Sequence, residues 1–275
     1  MSLKDILVFL DDSSANDDRV NTAFHLANIH DAQITGASLA SMKPKYAKSD
    51  DDKAILRMGD KLAHKLTDDF TDSGSDAGLS VTAIVISGDA VASAIKMAHY
   101  ARNADLVMLS QPDPSSDSFL RLQDFSQQIM LLSGRPVLFM PYIGVKKIHF
   151  ENAMIAWDGT PAASRAVHDA IPLLAKTQKV TILVVKSKKQ KELKKDLLLE
   201  GLVNHLGNHD INSRVKLVNP GKNDVPSVIL NKISEYDVDL LVVGGYGTPT
   251  LKQKIFGSVS SSLLSSMVVP VLMSH

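Results

Sequence analysis

The strongest constraint on this chain is that its sequence states one unit twice. Ile6-Leu7-Val8-Phe9-Leu10-Asp11, an apolar run closed by an aspartate, returns as Met154-Ile155-Ala156-Trp157-Asp158. Asn103-Ala104-Asp105-Leu106-Val107-Met108-Leu109 returns as Asp237-Val238-Asp239-Leu240-Leu241-Val242-Val243. At the same offset, Arg135-Pro136-Val137-Leu138 returns as Val269-Pro270-Val271-Leu272. The front of the repeat has a larger offset, so the first copy carries an insertion. It falls between Ser41 and Ser80, where Asp50-Asp51-Asp52, Gly74 and Gly78 mark polar, loop-rich chain. Self-similarity on this scale means two domains, 1–144 and 151–275, with the junction in Pro141–Phe150.

Within each copy, short runs rich in Val, Ile and Leu read as strands buried on both faces. They fall at 5–10, 33–39, 81–86, 105–109 and 136–140, then at 153–157, 180–185, 215–218, 240–243 and 268–273. Amphipathic stretches separate them. Thr160-Pro161 opens one helix, Thr as N-cap and Pro in the first turn. Its apolar positions Ala163, Ala166, Val167, Ala170 and Leu174 follow the 3.6 period, and Pro172 predicts a kink. Ser227–Ile233 and Ala90–Ala101 supply later helices. Strand and helix in alternation imply right-handed crossovers and parallel sheets. The predicted fold is α/β: two tandem five-stranded parallel-sheet sandwiches, Rossmann-like in layering.

Composition removes several function classes. Thirty basic residues balance thirty acidic ones, which argues against a nucleic-acid partner, since such binders need excess positive charge. The chain has no cysteine, so disulfides, thiolate metal sites and a cysteine nucleophile are excluded. No stretch approaches the roughly 20 apolar residues of a membrane span. The N-terminus lacks the basic head and cleavage site of a signal peptide, and a cytoplasmic location is expected.

In an open parallel sheet, ligands bind beyond the carboxyl ends of the strands. The fourth strand of the second copy ends in Gly244-Gly245-Tyr246-Gly247, and nine residues after Gly247 come Gly257-Ser258-Val259-Ser260. Glycines there allow turns at positive φ and close approach to backbone N–H groups. A helical stretch, Val259 to Met267, follows, and a helix start carrying hydroxyls suits an anion such as a polyphosphate. The same glycines also fit ordinary turn chemistry. The full spacing, Gly-x2-Gly-x9-Gly-Ser, resembles the nucleotide-binding signature of the universal stress protein family. Together with the Asp-terminated first strand and the Pro-Val-Leu-Met close, the chain is most similar to the tandem, two-domain members, whose fold is of the adenine nucleotide alpha hydrolase type.

That resemblance implies a stress-response sensing or regulatory role in which the second domain binds ATP, or AMP or ADP, with Mg²⁺ on the phosphates. It implies that Asp158 holds the adenosine end and that the backbone near Val185 meets the base. Ribose and phosphates would fall to Gly244, Gly247, Gly257, Ser258, Val259 and Ser260. No general base stands in the glycine loop, so turnover is expected to be slow or absent, at most a weak ATPase. There is no Walker loop, dinucleotide Gly-x-Gly-x2-Gly or Gly-x-Ser-x-Gly elbow. Two other readings stand beside this one: a nucleotide-independent scaffold built on the domain pair, and an enzyme acting on a phosphorylated metabolite through Asp158 and nearby histidines. The glycine spacing favours nucleotide binding over the first, and the lack of a nucleophile or metal cluster weakens the second.

The first copy has lost the pattern. Ser110 stands where the second copy has Gly244, Asp113 where it has Gly247, and Gln123-Asp124 where it has Gly257-Ser258. A phosphate facing Asp113 and Asp124 would meet repulsion of about 1 kcal/mol per contact in water, more where shielded. The first domain is therefore expected to bind no triphosphate.

Remaining features read more simply. His205-x3-His209 has a metal-like spacing, yet Gly207 and Asn208 favour a helix end. Lys186 to Lys195 holds six lysines and reads as a solvated helix start, with long-range attraction of phosphates as the alternative reading. Trp157 is assigned to core packing. The closing strands Pro136–Met140 and Pro270–Met273 are expected at sheet edges, where unpaired backbone groups invite a partner strand unless the edge is covered. The resemblance implies that they pair with each other within the chain or in a homodimer.

Overall fold

Each apolar run becomes a parallel strand. The computed structural model describes residues 2–40, 50–115, 119–145, 147–186, 195–245 and 258–275. The chain divides into two units, Ser2–His149 and Phe150–His275. The first runs β1 (Asp5–Leu10), α1 (Asn16–His30), β2 (Gln33–Leu39), α2 (Asp50–Asp76), β3 (Val81–Ile86), α3 (Ala90–Ala101), β4 (Leu106–Ser110), α4 (Phe119–Ser133) and β5 (Val137–Met140). The second repeats that order as β6 (Asn152–Ala156), α5 (Pro161–Leu174), β7 (Lys179–Val185), α6 (Lys195–Gly207), β8 (Ser213–Val218), α7 (Val225–Glu235), β9 (Leu240–Gly244), α8 (Ser258–Ser266) and β10 (Val271–Ser274).

Strand order is β3-β2-β1-β4-β5 in the first unit and β8-β7-β6-β9-β10 in the second. All neighbouring strands within each unit pair in parallel, with Val8 opposite Gly36 and Met108, and Ile155 opposite Ile182 and Val242. Central strands lie between helix layers and are apolar throughout: Ile6, Leu7, Val8, Val107, Ile155, Leu241 and Val242 are all buried. The two expected sandwiches are present, with strand ends shifted by up to a few residues. The last strand starts at Val271 rather than 268: Pro270 has no amide hydrogen to donate, although its carbonyl accepts from Leu241 N at 2.9 Å.

The repeated aspartates Asp105 and Asp239 prove to be structural. Asp105 accepts the backbone N–H groups of Lys4 and Asp5 at 2.7 and 3.2 Å. Asp239 does the same for Glu151 and Asn152, both at 2.9 Å. Each carboxylate ties the start of its unit's first strand to its fourth. Helix starts are fixed in a similar way. Thr160 caps α5 by accepting from Ala163 N, Asp89 caps α3 through Ala92 N, and Asp224 caps α7 through Ser227 N. Bonds from Ser227 hold the Asp224 carboxyl below its ordinary range. Pro172 lies in the last turn of α5, which continues past it to Leu174. Among the described residues, no helix is long and apolar enough to cross a membrane.

Candidate functional site

Strand order reverses between the first and fourth strands of each unit, so the crevice opens at their carboxyl ends. In the second unit the strands meeting there are β6, followed by Asp158, and β9, ending in Gly244. Asp158 is exposed, and its Oδ1 accepts from Thr160 N at 3.0 Å and Thr160 Oγ1 at 2.7 Å. Gly159 has φ of +77°, which completes this tight turn into α5. Val185 is the last residue of β7 and half-buried. Val259 is half-buried and Ser260 buried, near the start of α8. The Ser260 hydroxyl donates to the Gly244 carbonyl at 3.5 Å, so α8 begins beside the end of β9.

Gly244 departs from the sequence expectation. It carries no left-handed φ and continues β9 in register with Ser274. Glycine is required there for room: a Cβ at this position would lie 2.4 Å from Ala163 N and 2.6 Å from the Ala162 carbonyl carbon. The first turn of α5 is pressed against the strand end. The amide of Gly245 is already used, donating to Ser274 O at 2.9 Å. Gly247 and Gly257 lie outside the described residues, as do Lys188, Lys189, Lys191 and Lys194 of the lysine run and the side chain of Ser258.

The equivalent corner of the first unit is filled from within. Arg19, on α1, is fully buried. Its Nε donates to Phe9 O at 2.7 Å, one terminal nitrogen to Ser110 Oγ at 2.8 Å, and the other to Asn16 Oδ1 at 2.9 Å. That second nitrogen also pairs with Asp11 Oδ1 at 3.0 Å. Ser110 Oγ in turn donates to Asp11 Oδ2, and Ser13 repeats the Thr160 turn by donating to Asp11 Oδ1. Burial pushes the Asp11 carboxyl up, but the Arg19 charge and the bonds from Ser110 and Ser13 outweigh it and leave the group below its ordinary value. Counted from the strand-end aspartates, Arg19 matches Ala166 and Asn16 matches Ala163 of the second unit.

The carboxylates singled out in the first unit lie elsewhere. Asp113 Oδ1 accepts from Ser115 N and Oγ, both at 2.8 Å, and so folds its own loop. Asp124 is exposed on α4. Sequence reasoning passed over Arg19; its signal is a lone cation on the buried face formed by Ala15, Thr22, Ala23 and Leu26. Trp157 is half-buried and lines a groove rather than the core. His205 lies in α6 and His209 in the turn beyond it.

Two doubly wound α/β domains in tandem, with a glycine-bearing crevice in the second, define the class. The Universal stress protein family profile matches residues 2–141 and 149–275, and the chain belongs to that family. A universal stress protein from Archaeoglobus fulgidus has 18% identity and a TM-score of 0.77, covering 98% of this chain and 95% of its own. A functionally unknown protein from Pseudomonas aeruginosa has 13% identity and a TM-score of 0.61, covering 99% and 92%. At these identities the likeness shows the shared fold. No curated protein matches the sequence significantly.

Proposed function

We propose that the second unit binds an adenine nucleotide, ATP or its mono- or diphosphate, in a stress-sensing or regulatory role in the cytoplasm. The observation that carries this reading is the crevice corner itself. Asp158 sits in a fixed turn at the end of β6, and α8 starts beside Gly244, at the far end of a Gly-x2-Gly-x9-Gly-Ser segment. The donor chemistry suits a phosphate chain. Between Gly244 and Ser260 the sequence holds Lys252 and Lys254 and no carboxylate, whereas the matching stretch of the first unit holds Asp113, Asp117 and Asp124. A helix N-terminus adds unpaired N–H groups and a favourable dipole. Asp158 would accept from a ribose hydroxyl, the Val185 backbone would meet the base, and Gly247, Gly257, Ser258, Val259 and Ser260 would surround the phosphates. Mg²⁺ would neutralise phosphate charge. The loop sequence holds no carboxylate or histidine to activate water, so the unit would hold nucleotide rather than turn it over. The closing strands β5 and β10 are where we place association, within one chain or between two, which the mass in solution would test.

Native mass spectrometry of the freshly purified protein should release adenine nucleotide, and calorimetry with ATP should give one site per chain. Gly247→Asp, which copies the first unit's residue, should abolish the heat of binding. An unchanged isotherm for that variant would overturn the assignment of the loop.

A further inference from the structure

A second concave site lies on the helical face of the second unit, between α5 and α6. Its cavity is about 480 Å³ and is lined by Trp157, Arg165, Val167, His168, Leu202 and His205, among others. The rings of His168 and His205 come from different helices and stack at 6.3 Å between centroids with 23° between planes. His209 closes the row, edge-on to His205 at 5.0 Å. Indole and imidazole rings and the apolar Val167 and Leu202 therefore line one groove. Among the described residues, no carboxylate lines the groove. Arg165 stands at its side, and its Nε is held by Asp169 at 2.9 Å. The terminal nitrogens of Arg165 have no partner among the described residues, so these donors are unspent.

We infer that this groove is a binding site for a small planar aromatic carboxylate. The ring of such a ligand would lie against Trp157 and the imidazoles, where stacked and edge-to-face contacts are favourable. Its carboxylate would take the unspent nitrogens of Arg165, the geometry guanidinium forks match best. A metal ion is the obvious rival for three histidines. Among the described residues, however, no three His, Asp or Glu side chains are arranged to hold one. The row is built from ring-to-ring contacts, one stacked and one edge-on, which suits a flat aromatic ligand better than a cation. The site does not depend on the nucleotide reading, since it uses none of the glycine loop.

The test uses the full chain with 4-fluorobenzoate as probe, followed by fluorine NMR line broadening. The chain holds one tryptophan, so the single indole N–H resonance of Trp157 reports the same site from the protein side. We expect saturable broadening with a matching shift of that resonance, and much weaker binding of uncharged 4-fluorobenzyl alcohol. Arg165→Gln, at a side chain that is 53% exposed, should weaken the benzoate about tenfold, the scale of one charge-assisted hydrogen bond, and leave the alcohol unaffected. His205→Ala should weaken both. Gly247→Asp should leave the benzoate binding unchanged, which separates this site from the nucleotide crevice. Equal binding of benzoate and alcohol overturns the recognition of charge, and absence of any Trp157 shift overturns the site. Loss of the benzoate on Gly247→Asp would place the probe in the crevice instead. Histidine shifts driven by Zn²⁺ alone, with the benzoate inert, would replace the proposal with a metal site.

Discussion

The two strand-end corners of this molecule begin from the same aspartate and reach opposite solutions. In the second unit, α5 closes directly onto β9, and only glycine at 244 leaves room for its backbone. In the first, a serine occupies that strand end and the space is taken by the guanidinium of Arg19, tied to Asp11, Asn16, Ser110 and Phe9 O. One corner spends its polar groups on itself. The other keeps an exposed aspartate in a fixed turn beside a helix start. Duplicated folds can therefore diverge at the same strand ends: with Arg19, Asn16 and Ser110 in place, a long cation fills the first corner with a polar network, whatever the charge of the loop outside it.

The largest effect should come from breaking the sealed corner. Arg19→Ala strands Asp11 in a buried setting, and removing one partner of a buried pair costs about 3–5 kcal/mol. Hydrogen exchange should rise sharply in β1 and β4 while peptides of the second unit stay protected. A loss under 1 kcal/mol would mean the corner is wet and the contrast overstated. The same pair gives a pH signature. Because Asp11 titrates lower when folded than its ordinary value of 3.8, its contribution is complete above that value. It disappears as the pH falls through the depressed folded value. Acid unfolding of the first unit should therefore begin below the ordinary carboxylate range, and Arg19→Ala should move it to higher pH.

The next effect belongs to the second corner. Gly244→Ser, which copies the first unit, places a Cβ where only backbone atoms of Ala162 and Ala163 can move away. Overpacking of this kind costs about 1–3 kcal/mol. Urea unfolding followed by Trp157 emission should show a lower midpoint, and nucleotide binding, where present, should weaken with it. Ser110→Gly in the first unit should not create a nucleotide site, since Arg19 would still fill the space. ATP binding to that variant at a second site would break the comparison.

The fold was legible because parallel strands buried on both faces need continuous apolar runs, and these occur in the same order twice. The site was legible only in outline. That Gly244 needs its lack of a side chain for contact with α5 depends on how close a helix comes to a strand, which no spacing encodes. Asp113 and Asp124 attracted attention as charges in a loop, yet Asp113 satisfies its own turn at Ser115 and Asp124 faces solvent. Arg19 was readable in principle: a cation among Ala15, Ala23 and Leu26 on one helical face must find a carboxylate, and Asp11 ends the neighbouring strand. His168 was not, since it meets His205 only when two helices separated by a strand pack together.

The smallest effect concerns Thr160, which joins the two halves of the open corner. Its hydroxyl donates to Asp158 Oδ1 at 2.7 Å and accepts from Ala163 N at 3.2 Å. One oxygen thus caps α5 and holds the strand-end carboxylate in place. In the first unit these duties are divided: Ser13 holds Asp11, while α1 begins at Ala15 with no side-chain cap. Thr160→Ala should cost about 1 kcal/mol, the scale of a lost N-cap, in urea unfolding read by Trp157. Thr160→Ser keeps the oxygen and should restore nearly all of it. If Asp158 contacts nucleotide, Thr160→Ala should also weaken ATP in calorimetry beyond its effect on stability, because the carboxylate loses its hydroxyl donor and keeps only the backbone N–H of residue 160 from that turn. An alanine variant of lower stability but unchanged affinity would place the turn in folding alone and remove Asp158 from the binding site.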